Sequence, residues 1–456
     1  MQQLMSYSGH TRAILLLGLP LIGGHLAQVL IGVTDTVMLG WYSVDALAAV
    51  TLGSSYFFVL FIFGSGAALA VMPMVASFAA EGDETSVRRA TRMGIWISTG
   101  FALLSLPLMI WSKPVLRLLG QSEGVSRDAS EYLSVVAYGI LPALLVMVLK
   151  SYLAALERTQ IVLWITVLAA VVNGLANYAL IFGNWGAPEL GIRGAAFASI
   201  LTHFVTLIGV VAYARLVLPE HALFQRLWRA DWQMLWRVFK LGMPIGLTLL
   251  CEVGLFAASA LLMGWLGTVP LAAHGIAVQL ASITFMVHLG LSNVATIRAG
   301  NAYGRRDVDH MARGGVTVSV MSLVFAIATI VAFVVFPEPL LSLFMQEDEP
   351  QRAEILSIGV GLLVVAALFQ LVDGLQVISL GLLRGVQDTK APMIMAAVSY
   401  WIVGIPCSYV LGFVLGFEGI GVWLGLVVGL GTAAVLLSWR FWSVILNRLT
   451  LAQAAC

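Results

Sequence analysis

Leu17-Gly18-Leu19-Pro20 opens an apolar run that continues through Gly32-Val33-Thr34-Asp35-Thr36 to Gly40. A bilayer span takes about 20 apolar residues, and this run is longer than that while carrying a single carboxylate, Asp35. The pattern returns 224 positions later without a gap. Leu241-Gly242-Met243-Pro244 matches Leu17–Pro20, Gly264 matches Gly40, and Leu271-Ala272-Ala273 matches Leu47-Ala48-Ala49. The second copy carries its own acid, Glu252, about two turns before Ser259, the position equivalent to Asp35. A duplicated apolar chain with an intramembrane acid in each half points to a transporter.

The chain has 456 residues, 60% hydrophobic and 10% charged, with a mean hydropathy of +0.97. A soluble domain carries about 25% charge, so this is an all-α integral membrane protein. Its net charge of +1, with no basic tail or patch, gives no reason to expect a nucleic-acid partner. Cys251, Cys407 and Cys456 are odd in number and irregularly spaced, which implies neither a disulfide framework nor a metal motif. The first apolar run is too long for a signal-peptide core and ends without a small-residue cleavage site, so it reads as a retained first span.

Hydropathy predicts twelve transmembrane helices, near 13–38, 48–76, 90–111, 131–155, 160–183, 193–217, 240–266, 271–299, 313–336, 355–384, 391–415 and 419–440. Glu81-Gly82-Asp83, Gly183-Asn184-Trp185-Gly186, Gly304-Arg305-Arg306-Asp307 and Glu347-Asp348-Glu349-Pro350 are turn signals between them. With the N-terminus inside, only Lys113, Arg117, Arg127, Arg193 and Arg352 of the 24 basic residues fall on outer segments. Inner segments and their flanks hold the rest, including Lys150, Arg298 and Arg384. The asymmetry predicts a multi-pass protein of the bacterial inner membrane with both termini cytoplasmic. Residues 1–217 form an expected N-terminal lobe of six spans and 240–456 a C-terminal lobe of six, pseudo-symmetric about an axis along the membrane normal. Residues 218–239 link them. Arginines interleave there with Trp228, Trp232 and Trp236, so the linker is expected to be an amphipathic helix on the inner leaflet. Gly82-Asp83 finds its counterpart near Gly304 and Asp307, and Gly191-Ile192 matches Gly419-Ile420.

A charge at the bilayer centre costs at least ~2.5–3.5 kcal/mol on insertion scales, so buried acids should face a cavity, pair or titrate. Asp35 has no basic residue within a turn and reads as a cavity-facing cation or proton site. Asn173 and Asn177 are spaced i, i+4 on the fifth span, which puts both amides on one helical face. They are either an interhelical hydrogen-bonding pair or further oxygen ligands beside Asp35 for a hard cation such as Na⁺. Glu252 and Asp373 lie mid-span without a neutralising neighbour. Two acids on one cavity would repel and so readily capture a proton, a cation or a positive substrate. His25, His203, His274 and His288 show no metal-ligand spacing and remain proton-relay candidates. Arg298 is expected to snorkel to the cytoplasmic interface. Met72, Met74, Phe57, Phe58, Phe61, Phe285 and Met286 suit a surface accepting varied organic cations.

There is no phosphate loop, nucleophile elbow or zinc motif, so neither an enzyme nor an ATP-driven pump is expected. No cofactor is expected beyond a coupling ion, Na⁺ or H⁺.

The chain resembles the multidrug and toxic compound extrusion (MATE) transporters, most of all their NorM-like branch. The resemblance spans nearly the whole chain. It rests on Pro20 with Asp35-Thr36-Val37-Met38-Leu39-Gly40 and Leu47-Ala48-Ala49, and on Ala272-Ala273-His274. It rests also on Arg298-Ala299-Gly300-Asn301-Ala302-Tyr303-Gly304, and on Gly381-Leu382-Leu383-Arg384-Gly385 with Asp388-Thr389-Lys390-Ala391-Pro392. It implies two six-helix lobes in a V and efflux of small-molecule organic cations by Na⁺ or H⁺ antiport. By position, Asp35, Asn173 and Asn177 look like the N-lobe cation site, and Glu252 and Asp373 like the C-lobe acids that take the ion or the drug. Two positions depart from the family's pattern. Gly275 stands where Gln often follows the His, and Phe369 where an aromatic hydroxyl often precedes the Asp. Both losses weaken the case for a fully ligated Na⁺ in the C-terminal lobe. A functional monomer in contact with membrane lipid is expected. The rival readings are a lipid-linked oligosaccharide flippase, which would need a cationic cavity, and an intramembrane transferase, which would need clustered acids at one membrane face.

Overall fold

The computed structural model describes residues 5–346 and 350–454, so Cys456 and the turn signal at Glu347-Asp348-Glu349 lie outside the described residues. Among the described residues, twelve helices are long and apolar enough to cross a membrane. They are α1 (Tyr7–Tyr42), α2 (Ala46–Glu81), α3 (Glu84–Ile110), α4 (Glu123–Ala155), α5 (Thr159–Phe182) and α6 (Ile192–Val217). The remaining six are α7 (Trp232–Leu266), α8 (Thr268–Gly304), α9 (Val308–Val335), α10 (Arg352–Gly385), α11 (Lys390–Val414) and α12 (Glu418–Gln453). The protein is therefore an all-helical, multi-pass membrane protein. Leu104, Ile208, Val324, Ile402 and Val435 are all more than half exposed, as lipid-facing side chains would be.

The turns repeat as the sequence does. The left-handed backbone at Gly82 (φ 75°) is followed by Asp83, which caps α3 by accepting from Ser86 N at 3.0 Å. At the same 224-residue offset Arg306 takes φ 55°, and Asp307 caps α9 by accepting from His310 N at 2.9 Å. Gly82 thus corresponds to Arg306 and not to Gly304, which ends α8. A non-glycine residue there bears the strain of a left-handed conformation. Glu157 and Gln387 (φ 61° and 60°) and Gly191 and Glu418 (φ 52° and 49°) form two further pairs in the corresponding turns.

The chain forms two compact units: Gly23–Gly246, and Met1–Ile22 with Leu247–Cys456. These differ from lobes cut at 217 and 240. The two break points, after Ile22 and after Gly246, are themselves related by the 224-residue offset. Backbone contact explains the first unit's extension into α7. A Cβ on Gly66 would lie 2.5 Å from both Gly242 O and Gly246 N, so α2 and the start of α7 cross main chain to main chain. In the other unit the equivalent of Gly66 is Gly290, whose Cβ would lie 2.4 Å from Ile22 Cγ1.

No interfacial helix forms over 218–231. A single 3₁₀ turn at Pro219–His221 is followed by left-handed residues at Ala222 and Arg226, and α7 begins at Trp232. Aromatic and basic content suggested a helix, but α3 supplies a stronger local partner. Arg92 donates to the carbonyls of Ala222 and Leu223, both at 2.8 Å, and Trp96 Nε1 donates to Leu227 O at 2.7 Å. These contacts tie the segment to α3 in a turn conformation, in which Ala222 O also accepts from Gln225 N at 3.1 Å. Arg89 pairs with Asp231 at 2.5 Å, and buried Tyr152 bonds His221 Nδ1.

Candidate functional site

Asp35, Asn173 and Asn177 meet. Asn177 Nδ2 donates to Asp35 Oδ1 at 2.5 Å and to Asn173 Oδ1 at 3.2 Å, so one amide nitrogen sits between two oxygens on α1 and α5. Both asparagines are fully buried. Asn173 Nδ2 and Asn177 Oδ1 have no hydrogen-bond partner among the described residues. A buried amide left half-satisfied is costly and marks a place where a further group is accommodated. Thr34 and Thr36 are spent on their own helix, donating to Leu30 O and Gly32 O at 2.9 Å. Neither hydroxyl has a proton left to donate to Asp35.

The cluster opens on a cavity of about 190 Å³ that Gln28, Ser54, Phe57, Tyr132, Lys150 and His203 also line. Phe57 and Phe61 stack across its wall, ring centroids 6.1 Å apart. Met72 and Met74 do not join this surface as expected. They are buried at 5% and 0%, because α2 packs closely on its neighbours at that level. Lys150 is the residue the sequence reading misplaced. Its nearness to the end of α4 put it among the inner flanking charges, whereas it belongs to the cavity of Asp35. The insertion-cost argument that singled out Asp35, applied to an isolated lysine in Leu144–Ala155, would have found it.

In the other unit Glu252 on α7 and Asp373 on α10 line one small cavity of about 60 Å³, walled by Phe256, Phe285 and Phe369. Asp373 is 2% exposed, and neither acid forms an ion pair among the described residues. Gln370, one turn before Asp373, is fully buried with neither side-chain polar atom bonded among the described residues. Gln376 donates to the hydroxyl of buried Tyr400 at 2.5 Å. Sequence reasoning passed over these glutamines, although Gln370 and Asp373, three residues apart, share a helical face. Phe369 packs edge-on against Phe256 and Trp423, at 6.0 and 5.7 Å. Where a hydroxyl was missed, the structure has an aromatic wall. A Cβ on Gly275 would meet nothing within 4 Å.

The histidines divide by environment. Trp423 Nε1 donates to His274 Nδ1 at 3.0 Å, and His288 Nδ1 bonds Ser322 Oγ at 2.8 Å, so both are held by structural partners. His203 lines the larger cavity. Arg298 does not snorkel. It is 9% exposed, and its Nη2 donates to His10 Nδ1 at 2.9 Å and His310 Nε2 at 3.0 Å. The guanidinium is directed inward, to ring nitrogens carried by α1 and α9, and not toward the interface. Groups of three or more His, Cys, Asp or Glu suited to a metal are absent among the described residues.

Twelve spans among the described residues, an internal repeat and a cavity-facing carboxylate site in each unit are the features of a membrane transporter. The MatE family model matches residues 20–179 and 244–410, two segments that start 224 residues apart. The probable multidrug resistance protein NorM of Agrobacterium fabrum is 44% identical over 438 residues, covering 96% of this chain and 94% of that protein. The protein of the same name from Rhizobium meliloti is also 44% identical, covering 99% and 97%. Among solved structures, an outward-facing multidrug resistance MATE family transporter of the MOP superfamily superposes with a TM-score of 0.86 at 19% identity, covering 96% of each chain. A MATE structure in the bent conformation gives 0.88 at 18%, covering 98% and 97%. The chain belongs to the MatE family, the MATE multidrug efflux transporters, and is not an enzyme.

Proposed function

We propose that this transporter exports small organic cations from the cytoplasm across the bacterial inner membrane by antiport against Na⁺ or H⁺, acting as a monomer among lipids with both termini inside. The observation that carries the reading is the pair of carboxylate sites, one in each unit, set in polar or aromatic cavities and left without an ion-pair partner. The cation-attracting end of the first is Asp35. Its donor set suits a hard ion. Rotating the Asn177 amide by a half turn would bring its unpartnered Oδ1 toward Asp35 Oδ1 and Asn173 Oδ1, replacing the N–H donor with a third oxygen. Protonation of Asp35 would instead let the carboxyl donate to that same Oδ1. Either event removes the negative charge that holds a cation. In the second site Glu252 and Asp373 repel one another, and the faces of Phe256, Phe285 and Phe369 favour an organic cation over a hydrated one. Ion and drug then compete for the same charge. Competition of that kind, combined with alternating access of a duplicated chain, gives exchange. The orientation rests on the loop-charge asymmetry.

The test is uptake of a fluorescent organic cation into inverted proteoliposomes under an imposed Na⁺ gradient and, separately, an imposed pH gradient, at clamped membrane potential. One of the two gradients should drive uptake, and Asp35→Asn combined with Glu252→Gln and Asp373→Asn should abolish it. Gradient-driven uptake that survives all three substitutions would sink the proposal.

A further inference from the structure

We propose that Arg88, Arg92 and Arg226 form a site for the headgroup of an anionic phospholipid, held at the bilayer interface by exposed tryptophans of the linker and of α7. The inference does not depend on how ion and drug are exchanged. It concerns the Arg- and Trp-rich segment that forms no helix. Docking of that segment on α3 brings the three guanidiniums together. Arg88 and Arg92 stand one turn apart on one face of α3. Arg92 is pinned to the linker by its bonds to the carbonyls of Ala222 and Leu223. Arg226 follows in the same turn-rich stretch, itself left-handed (φ 54°). Its charge and that of Arg88 both act on Arg92. No carboxylate pairs with any of the three among the described residues. Asp231 is taken by Arg89, Asp83 caps α3 through Ser86, and Glu81 accepts from Ser77 at 3.0 Å. Glu84 and Glu220 are exposed and belong to no ion pair among the described residues. Like charges a turn apart are destabilising, and an anion between them reverses the sign. Other arginines nearby are used differently: Arg215 and Arg237 lie over the rings of Phe224 and Phe78, each at 5.1 Å. Arg92 has spent Nε and one Nη2 proton on the linker, so Arg88 and Arg226 supply the complete forks for a phosphodiester. The tryptophans select a lipid as its source. Trp228, two residues after Arg226, is 78% exposed, and Trp232 and Trp236 in the first turns of α7 are 71% and 62% exposed. Indole rings favour the headgroup level of a bilayer, where basic clusters recognise anionic lipids.

The test follows apparent melting of the whole, delipidated transporter in detergent as dioctanoyl phosphatidylglycerol, dioctanoyl phosphatidylcholine or inorganic phosphate is added. Phosphatidylglycerol should bind about tenfold or more tightly than phosphatidylcholine, and the preference should shrink at high salt. Arg88→Gln and Arg226→Gln should each weaken phosphatidylglycerol about fivefold, and together they should remove the preference. Arg226→Lys keeps the charge without the fork and should fall between. Arg127→Gln removes a charge whose side chain is 69% exposed outside the site, and should stay within about twofold of the wild type. The single variants carry the test if the double variant fails to insert. Equal binding of the two lipids, an equal loss in Arg127→Gln, or unchanged phosphatidylglycerol binding in both single variants overturns the proposal. Inorganic phosphate that stabilises at the same concentration as phosphatidylglycerol, through the same two arginines, makes this a free-anion site and overturns the lipid assignment. Each of these outcomes leaves the antiport reading intact.

Discussion

Replacing Gly66 by alanine tests the crossing of α2 and α7. The new methyl would lie 2.5 Å from Gly242 O, 2.5 Å from Gly246 N and 2.7 Å from Gly246 Cα. Ordinary contact begins at 3.4 Å, so the shortfall is about 0.9 Å, and it falls on main chain that has no rotamer to change. The two helices must move apart along several turns. Overpacking of this kind costs about 1–3 kcal/mol, and two simultaneous backbone collisions put Gly66→Ala at the upper end. At roughly 2–4 °C per kcal/mol for a unit of this size, apparent melting in detergent should fall by roughly 5–10 °C. Intrinsic fluorescence reports it well, since the chain has 13 tryptophans. Two controls bracket the effect. Gly24→Ala meets nothing within 4 Å and should leave melting unchanged or raise it by a few degrees, since alanine is favoured over glycine inside a helix. Gly290→Ala, the repeat-equivalent change, meets chiefly the Ile22 side chain at 2.4 Å, with the Ile22 nitrogen at 3.1 Å, and should fall between. If Gly66→Ala melts with Gly24→Ala, the two helices do not cross as described.

The linker, the buried arginine and the Asp35 cluster can be tested in the same way. Asp231 is held below the usual carboxylate range by its hydrogen bond from Arg89, and Asp83 by its capping bonds with Ser86. Depressed carboxylates contribute stability above their ordinary value near 3.8 and lose it as pH falls through the lowered value. Proteolytic protection of the 218–231 segment should therefore be constant above about pH 5 and decline below about pH 4, and Asp231→Asn should flatten that decline. Arg298→Ala removes the shared donor of His10 and His310 and should destabilise the protein by about 1.5–3 kcal/mol, read as a lower apparent melting temperature. Asn177→Ala leaves Asp35 without its 2.5 Å donor and removes one oxygen from the proposed cation site. It should raise the ion concentration for half-maximal exchange roughly tenfold or more, while Asn177→Asp, which keeps an oxygen there, should do less harm.

Span count, repeat and the identity of the acids were legible because they depend on local composition. About 20 apolar residues must satisfy their backbone within the helix, and Asp35, Glu252 and Asp373 stand out against such a background. The i, i+4 spacing of Asn173 and Asn177 placed both on one face. That this face meets Asp35 is a tertiary fact, which only the packing of α5 against α1 supplies. Lys150 was misread because loop-charge counting assigns a basic residue by its distance along the chain from a helix end, not by the face it presents. Arg298 was misread because its partners, His10 and His310, come from two other helices. The units break after Ile22 and Gly246 instead of at the linker for a similar reason. A small side chain at Gly66 is visible in sequence, but its partner across the helix crossing is not.

In the proposed exchange, ion and drug compete for the same acids. The most direct measurement is ion release: purified transporter preloaded with the coupling ion, with free Na⁺ or pH monitored as an organic cation is added. Stoichiometric release that disappears in the Asp35→Asn, Glu252→Gln, Asp373→Asn variant is the predicted result. Saturable drug binding to the wild type with no ion released would contradict the claim.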